Sequence, residues 1–115
     1  VANLKLASPI LLQVVTCGST FDLSWHAHND NGTNFNWTGY TPKARLTVGS
    51  VAITVTGTVV NAGGGTASAS WTSAQTATLT APAWGSIELW ADADASTTNI
   101  AIATIAVRTS AEVIP

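Results

Sequence analysis

His26 and His28 are the only imidazoles in the chain and stand two residues apart. On a strand that spacing puts both rings on one face, with Asp22 on the same face and Asp30 just beyond. Imidazole and carboxylate are zinc-ligand types, but a zinc site needs three or four donors at once. Asp22 or Asp30 could supply a third, yet the further histidine of a cupin-type site is missing and Cys17 has no obvious place in the set. The pattern therefore predicts two surface histidines and no metal.

Carboxylate chemistry has as little to work with. A glycosidase pair could be drawn from Asp22, Asp30, Glu88, Asp92 and Asp94, but it needs one buried carboxyl with a raised pKa beside an ionised one. Nothing in the sequence buries such a pair. No nucleophile elbow and no cysteine–histidine signature occurs either. The expectation is a chain with no catalytic residue and no cofactor.

The aromatic residues are the stronger signal. Trp25 and Trp71 fall on the apolar face of alternating stretches and read as core. Trp90 falls on the opposite face of its stretch, while Trp37 and Trp84 lie at strand ends. Trp37, Tyr40, Trp84 and Trp90 are therefore the candidate interface residues, since exposed tryptophan is enriched where proteins bind proteins. The same residues beside Asn and Asp could instead stack sugars, as in a carbohydrate-binding β-sandwich module.

The elements that position them follow from periodicity. Phe21, Leu23, Trp25 and Ala27 alternate with Asp22, Ser24, His26 and His28, a half-buried strand. Asn29-Asp30-Asn31-Gly32 is then a turn, and Phe35, Trp37 and Tyr40 cross to a strand over 43–48 with Ala44, Leu46 and Val48 inward. Gly49-Ser50 reads as a two-residue hairpin connector into a strand over 51–60, bent at Gly57. Residues 61–66 (NAGGGT) make a hairpin tip, and 67–72 alternates again. Ser73 is positioned to cap a short helical turn over 73–77, and Pro82 bars its extension. Residues 86–92 form a strand, 92–98 an acidic turn and 99–107 the last strand. Residues 10–16 read as a strand buried on both faces or against a partner.

Seven to eight short antiparallel strands with turn signals every 8–12 residues describe an all-β, immunoglobulin-like β-sandwich. The expected division is an N-terminal arm over 1–9 with at most a short strand at 4–6, the sandwich over 10–107, and a tail over 108–115. At 115 residues this is one domain. Four Lys and Arg with a net charge of −2 cannot furnish the phosphate contacts of a nucleic-acid binder. No charged segment leading into an apolar one opens the chain, and no apolar run is long enough to span a bilayer. One cysteine excludes an internal disulfide. Only 9% of residues are charged, against 46% hydrophobic. So little charge points to a surface partly covered by partners.

Between residues 18 and 48 a glycine precedes FDLSW, followed by the turn NDNG, the element WTGYT and the outward-basic strand KARLTV. Further on, SAQTATL precedes the strand GSIELWAD and an acidic turn. This order resembles the N-terminal immunoglobulin-like domain of tailed-phage baseplate upper proteins and related small phage virion structural proteins, over roughly residues 14 to 107. Trp37 stands where that family usually has leucine, and the outward faces carry less charge. The resemblance implies a virion structural protein that decorates or cements capsid, tail or baseplate subunits. Its partners would be other virion proteins and further copies of itself, with neither nucleic acid nor membrane involved.

Overall fold

The alternating stretch of the sequence becomes β3 (Phe21–Asn29), and its partner across the crossing becomes β4 (Tyr40–Val48). The computed structural model describes residues 4–8, 10–93 and 99–111. Most of the acidic turn, Asp94 included, lies outside them, as do Pro9 and the ends of the arm and tail. Around β3 and β4 stand β1 (Leu4–Leu6), β2 (Gln13–Thr16), β5 (Val51–Thr56), β6 (Thr58–Asn61), β7 (Thr66–Trp71), β8 (Ala83–Ala93) and β9 (Asn99–Ser110). A single turn of helix, α1 (Ser73–Thr76), links β7 to β8.

The strands form two sheets, one ordered β1-β3-β7-β6 and the other β2-β9-β8-β4-β5. Each has an inward face, and the two faces make one core. Leu23, Trp25, Ala67, Ala69 and Trp71 come from the first sheet, and Ala44, Leu46, Ile87, Leu89, Ile105 and Val107 from the second. The alternation is sharpest in β4, where Pro42, Ala44, Leu46 and Val48 are buried between half-buried neighbours. This is the immunoglobulin-like sandwich that the strand periodicity predicts, here with nine strands among the described residues.

Two buried hydroxyls tie the loops to this core. Thr76 Oγ1 accepts from Gly18 N at 3.1 Å and donates to Ser19 O at 2.7 Å. Thr109 Oγ1 donates to Thr80 O at 2.6 Å. Both side chains are fully buried, so each would be costly to leave unbonded.

The details correct several expectations. β2 does not run from residue 10, and it pairs parallel with the end of β9, Gln13 against Val107 and Thr16 against Ser110. The sandwich is therefore not wholly antiparallel: β2 and β9 run side by side in the same direction. Nor is this segment buried on both faces: Val15 is fully buried, but Leu11, Leu12 and Val14 are exposed. β9 extends three residues past Val107, so Arg108, Thr109 and Ser110 are strand, not tail. In the expected arm, Leu4–Leu6 pairs antiparallel with β3 as an edge strand, and Leu4 enters the core. The helical turn is capped by Thr72, one residue earlier than expected. Its side chain accepts from Gln75 N while Gln75 Oε1 accepts from Thr72 N, a capping box.

Candidate functional site

The crossing between β3 and β4 resolves the first two interface candidates. Asn29 to Asn34 forms a compact turn: Gly32 adopts φ +86°, and Asn31 Oδ1 accepts from the Thr33 amide at 3.1 Å and the Thr33 hydroxyl at 2.6 Å. Phe35 N then donates to Ala27 O, which returns the chain to the sandwich. Trp37-Thr38-Gly39-Tyr40 is a β-turn, with Tyr40 N donating to Trp37 O at 2.9 Å and Gly39 at φ +82°. Positive φ at the third position marks type II, which is why glycine stands there. Asn36 Oδ1 accepts from Thr38 N and braces the entry.

This geometry turns Trp37 inward. Its indole is 1% exposed, and its Nε1 donates to Gly65 O at 2.9 Å in the β6–β7 hairpin tip. Phe35 packs edge-on against Trp37 and Tyr40, each ring centroid 5.0 Å away. Trp37 is therefore core and not an interface residue. Tyr40 is half-buried in the same aromatic cluster. The alternation rule could not place Trp37, because a residue in a turn between strands has no sheet face to inherit.

The histidines belong to the same construction. His26 and His28 stack edge-to-face with centroids 4.7 Å apart. His26 Nε2 lies 2.8 Å from Asn34 Oδ1, and His28 bridges to Asn34 through the backbone. They fasten the turn to its strand. Among the described residues no group of three or more His, Cys, Asp or Glu comes together.

Trp90 lies on the outer face of the five-stranded sheet, as its alternation predicts, but is half covered. The Arg45 guanidinium sits over its ring, 5.3 Å from the centroid, while Arg45 Nε donates to Thr54 Oγ1 at 3.1 Å. Arg45 and Glu88 are register partners on neighbouring strands. A register shift between Leu89 and Trp90 disturbs the β8–β9 pairing. Beside that irregularity lies an open groove of about 390 Å³, lined by Arg45, Glu88, Trp90, Ala101, Ile102 and Thr104. It offers an indole edge, a cation and a carboxylate within one shallow depression.

Trp84 is the most exposed of the four candidates, with 68% of its surface open. It begins the same sheet face one end away. Trp84 pairs with Arg108, and Arg108 with Val14, so the three form one row across β8, β9 and β2. The Arg108 guanidinium lies 6.0 Å from the Trp84 ring centroid, and Val14 is 56% exposed. Leu11 and Leu12, also exposed, stand in the chain just ahead of β2. Sequence reasoning singled out Trp84 but missed Val14, Leu11, Leu12, Arg108 and Arg45. The alternation of β8 against β4 could have found Arg45; the parallel β2–β9 pairing that assembles the others has no local signature.

Comparison with known proteins shows the fold and nothing narrower. No family model matches the chain, and no curated protein matches it. Among solved structures 89 chains match. One is titin domain M7, with a TM-score of 0.50 and 10% identity over 97% of this chain and 96% of that one. A likeness at that identity is a likeness of architecture.

Proposed function

We propose that this chain is a non-catalytic structural protein of a tailed-phage virion, a small sandwich that docks on capsid or tail and baseplate subunits. The observation that carries the reading is the exposed row of Trp84, Arg108 and Val14, with Leu11 and Leu12 exposed just ahead of β2. A large exposed indole with aliphatic neighbours and a single arginine has the composition of a protein-binding hot spot. The resemblance of WTGYT, KARLTV and GSIELWAD to phage baseplate upper proteins supports virion subunits as the partner. The test is to look for the chain in purified virions by mass spectrometry and to measure binding of the isolated protein to those particles. Binding that falls at least tenfold in Trp84→Ala supports the proposal. Absence from the particles, or no affinity for them, sinks it.

The Trp90 groove favours a second reading, a carbohydrate-binding module of a secreted or surface protein. Its indole, guanidinium and carboxylate are the groups that hold sugars. Glycan-array binding that disappears in Trp90→Ala and persists in Trp84→Ala would favour it over the virion reading.

A further inference from the structure

The described sheets have four edges, and three are blunted. β1 is three residues long and carries Lys5, β6 is four residues long with a register shift between Val59 and Asn61, and β2 is four residues long. The fourth edge, β5, is six residues of VAITVT with no charge, no proline and no register shift. Such an edge offers its backbone to another strand, and monomeric proteins generally protect it.

The hydrogen-bond parity of β5 identifies the open groups. Gly49-Ser50 joins β4 to β5 with Gly49 at φ +59°, a two-residue turn of the II′ kind. The residues flanking such a turn, Val48 and Val51, form a hydrogen-bonded pair, and bonded pairs recur every second residue. Gly57 N donates to Pro42 O at 2.8 Å, on that same parity. Val51, Ile53 and Val55 therefore bond to β4, and the amides and carbonyls of Ala52, Thr54 and Thr56 face the open side. The side chains tell the same story. Val51, Ile53 and Val55 pack against the core yet are only partly buried, while their β4 neighbours Ala44, Leu46 and Val48 are buried.

We infer that β5 pairs antiparallel with β5 of a second copy, across a two-fold axis at Thr54. In this register Thr54 meets its own equivalent in a hydrogen-bonded pair, and Ala52 meets Thr56 of the second copy on either side. Ile53 meets Val55 on the core face, a β-branched cross-strand pair that covers the half-exposed residues. A second copy fits because β5 is uncharged and its pattern reads the same in both directions. The nearest like charges are the two Arg45 residues, three strand spacings or about 14 Å apart, beyond the screening length at physiological salt. Lys43 and Arg45 are also drawn back onto the Thr56 and Thr54 hydroxyls of their own chain. The inference uses only this strand and its neighbours, so it stands or falls separately from the virion and sugar readings.

Sedimentation of the isolated protein over a wide concentration range tests it. The mass is expected to rise from 11.8 kDa toward twice that value. Thr54→Lys puts two cations face to face on the axis and is expected to weaken association at least tenfold, with an unchanged circular dichroism spectrum. In a Cys17→Ser background, Thr54→Cys is expected to crosslink to itself on mild oxidation, whereas Ala52→Cys does not, because opposed positions in such a pair lie within disulfide reach. A single-chain mass at all concentrations overturns the inference. So does a dimer that Thr54→Lys leaves intact, or one in which Ala52→Cys crosslinks as readily as Thr54→Cys. Particle or glycan binding measured on the same variants reports on the other readings independently.

Discussion

Trp37 and Trp84 both sit beside the end of a strand, yet one is 1% exposed and the other 68%. The Trp37 region supplies everything an indole needs to be buried. A type II turn aims it inward, Phe35 packs against its face, and Gly65 O accepts its N–H. The Trp84 region supplies only a flat sheet face and the Arg108 guanidinium. Residue type is the same and both lie near the start of a strand, but Trp37 stands in the turn before β4 and Trp84 inside β8. What differs is a nearby acceptor and a backbone turn, and those decide whether a tryptophan is architecture or surface.

The sharpest way to break this comparison is truncation of both indoles. Trp37→Ala is expected to cost about 3–5 kcal/mol in denaturant unfolding, from the cavity and the lost indole hydrogen bond to Gly65 O. For a domain stable by about 5–15 kcal/mol that is a large fraction. Equal losses for Trp37→Ala and Trp84→Ala would erase the distinction. Next in size is Gly85→Ala, beside Trp84. A Cβ there would press into the Thr47 carbonyl and Val48 of β4, so a loss of about 1–3 kcal/mol is expected. That result would place the structural role of this end in its glycine and not in its indole.

Gly39→Ala tests the turn that aims Trp37. The site is spacious, so only the positive φ is penalised, by about 1–2 kcal/mol in thermal or denaturant unfolding. A neutral result would mean that the turn type does not hold Trp37 in place. The smallest effect is assigned to Trp84→Ala itself, within about 0.5 kcal/mol of the parent in the same assay. Acrylamide should quench the Trp84 contribution to fluorescence freely and that of Trp37 hardly at all.

Much of the fold was legible because strand periodicity and turn chemistry are local. The faces of 21–28, 43–48 and 86–92, the Gly49-Ser50 hairpin and the core positions of Trp25 and Trp71 all follow from residue order. The expected single strand over 51–60 does not: at Gly57 it breaks into β5 and β6, which belong to different sheets. The site was less legible. Trp90 could be placed outward by its alternation, but Trp84 and Trp37, both read at strand ends, could not be told apart; Tyr40 is half-buried, and Trp37 is core because a hairpin tip 28 residues away holds its N–H. Likewise the apolar run at 10–16 announces a strand without saying that Leu11, Leu12 and Val14 stay exposed.

The sequence alone determined the all-β class, the alternation of each main strand and the turns that need glycine, because sterics and two-residue periodicity act over neighbours. The tertiary structure decided which edges stay open, that β2 runs parallel to β9 and which tryptophans face solvent. Those outcomes depend on groups brought together across the sandwich, such as Val14 with Arg108 or Trp37 with Gly65. No local pattern encodes such a meeting. It is settled only when the two sheets close on a common core.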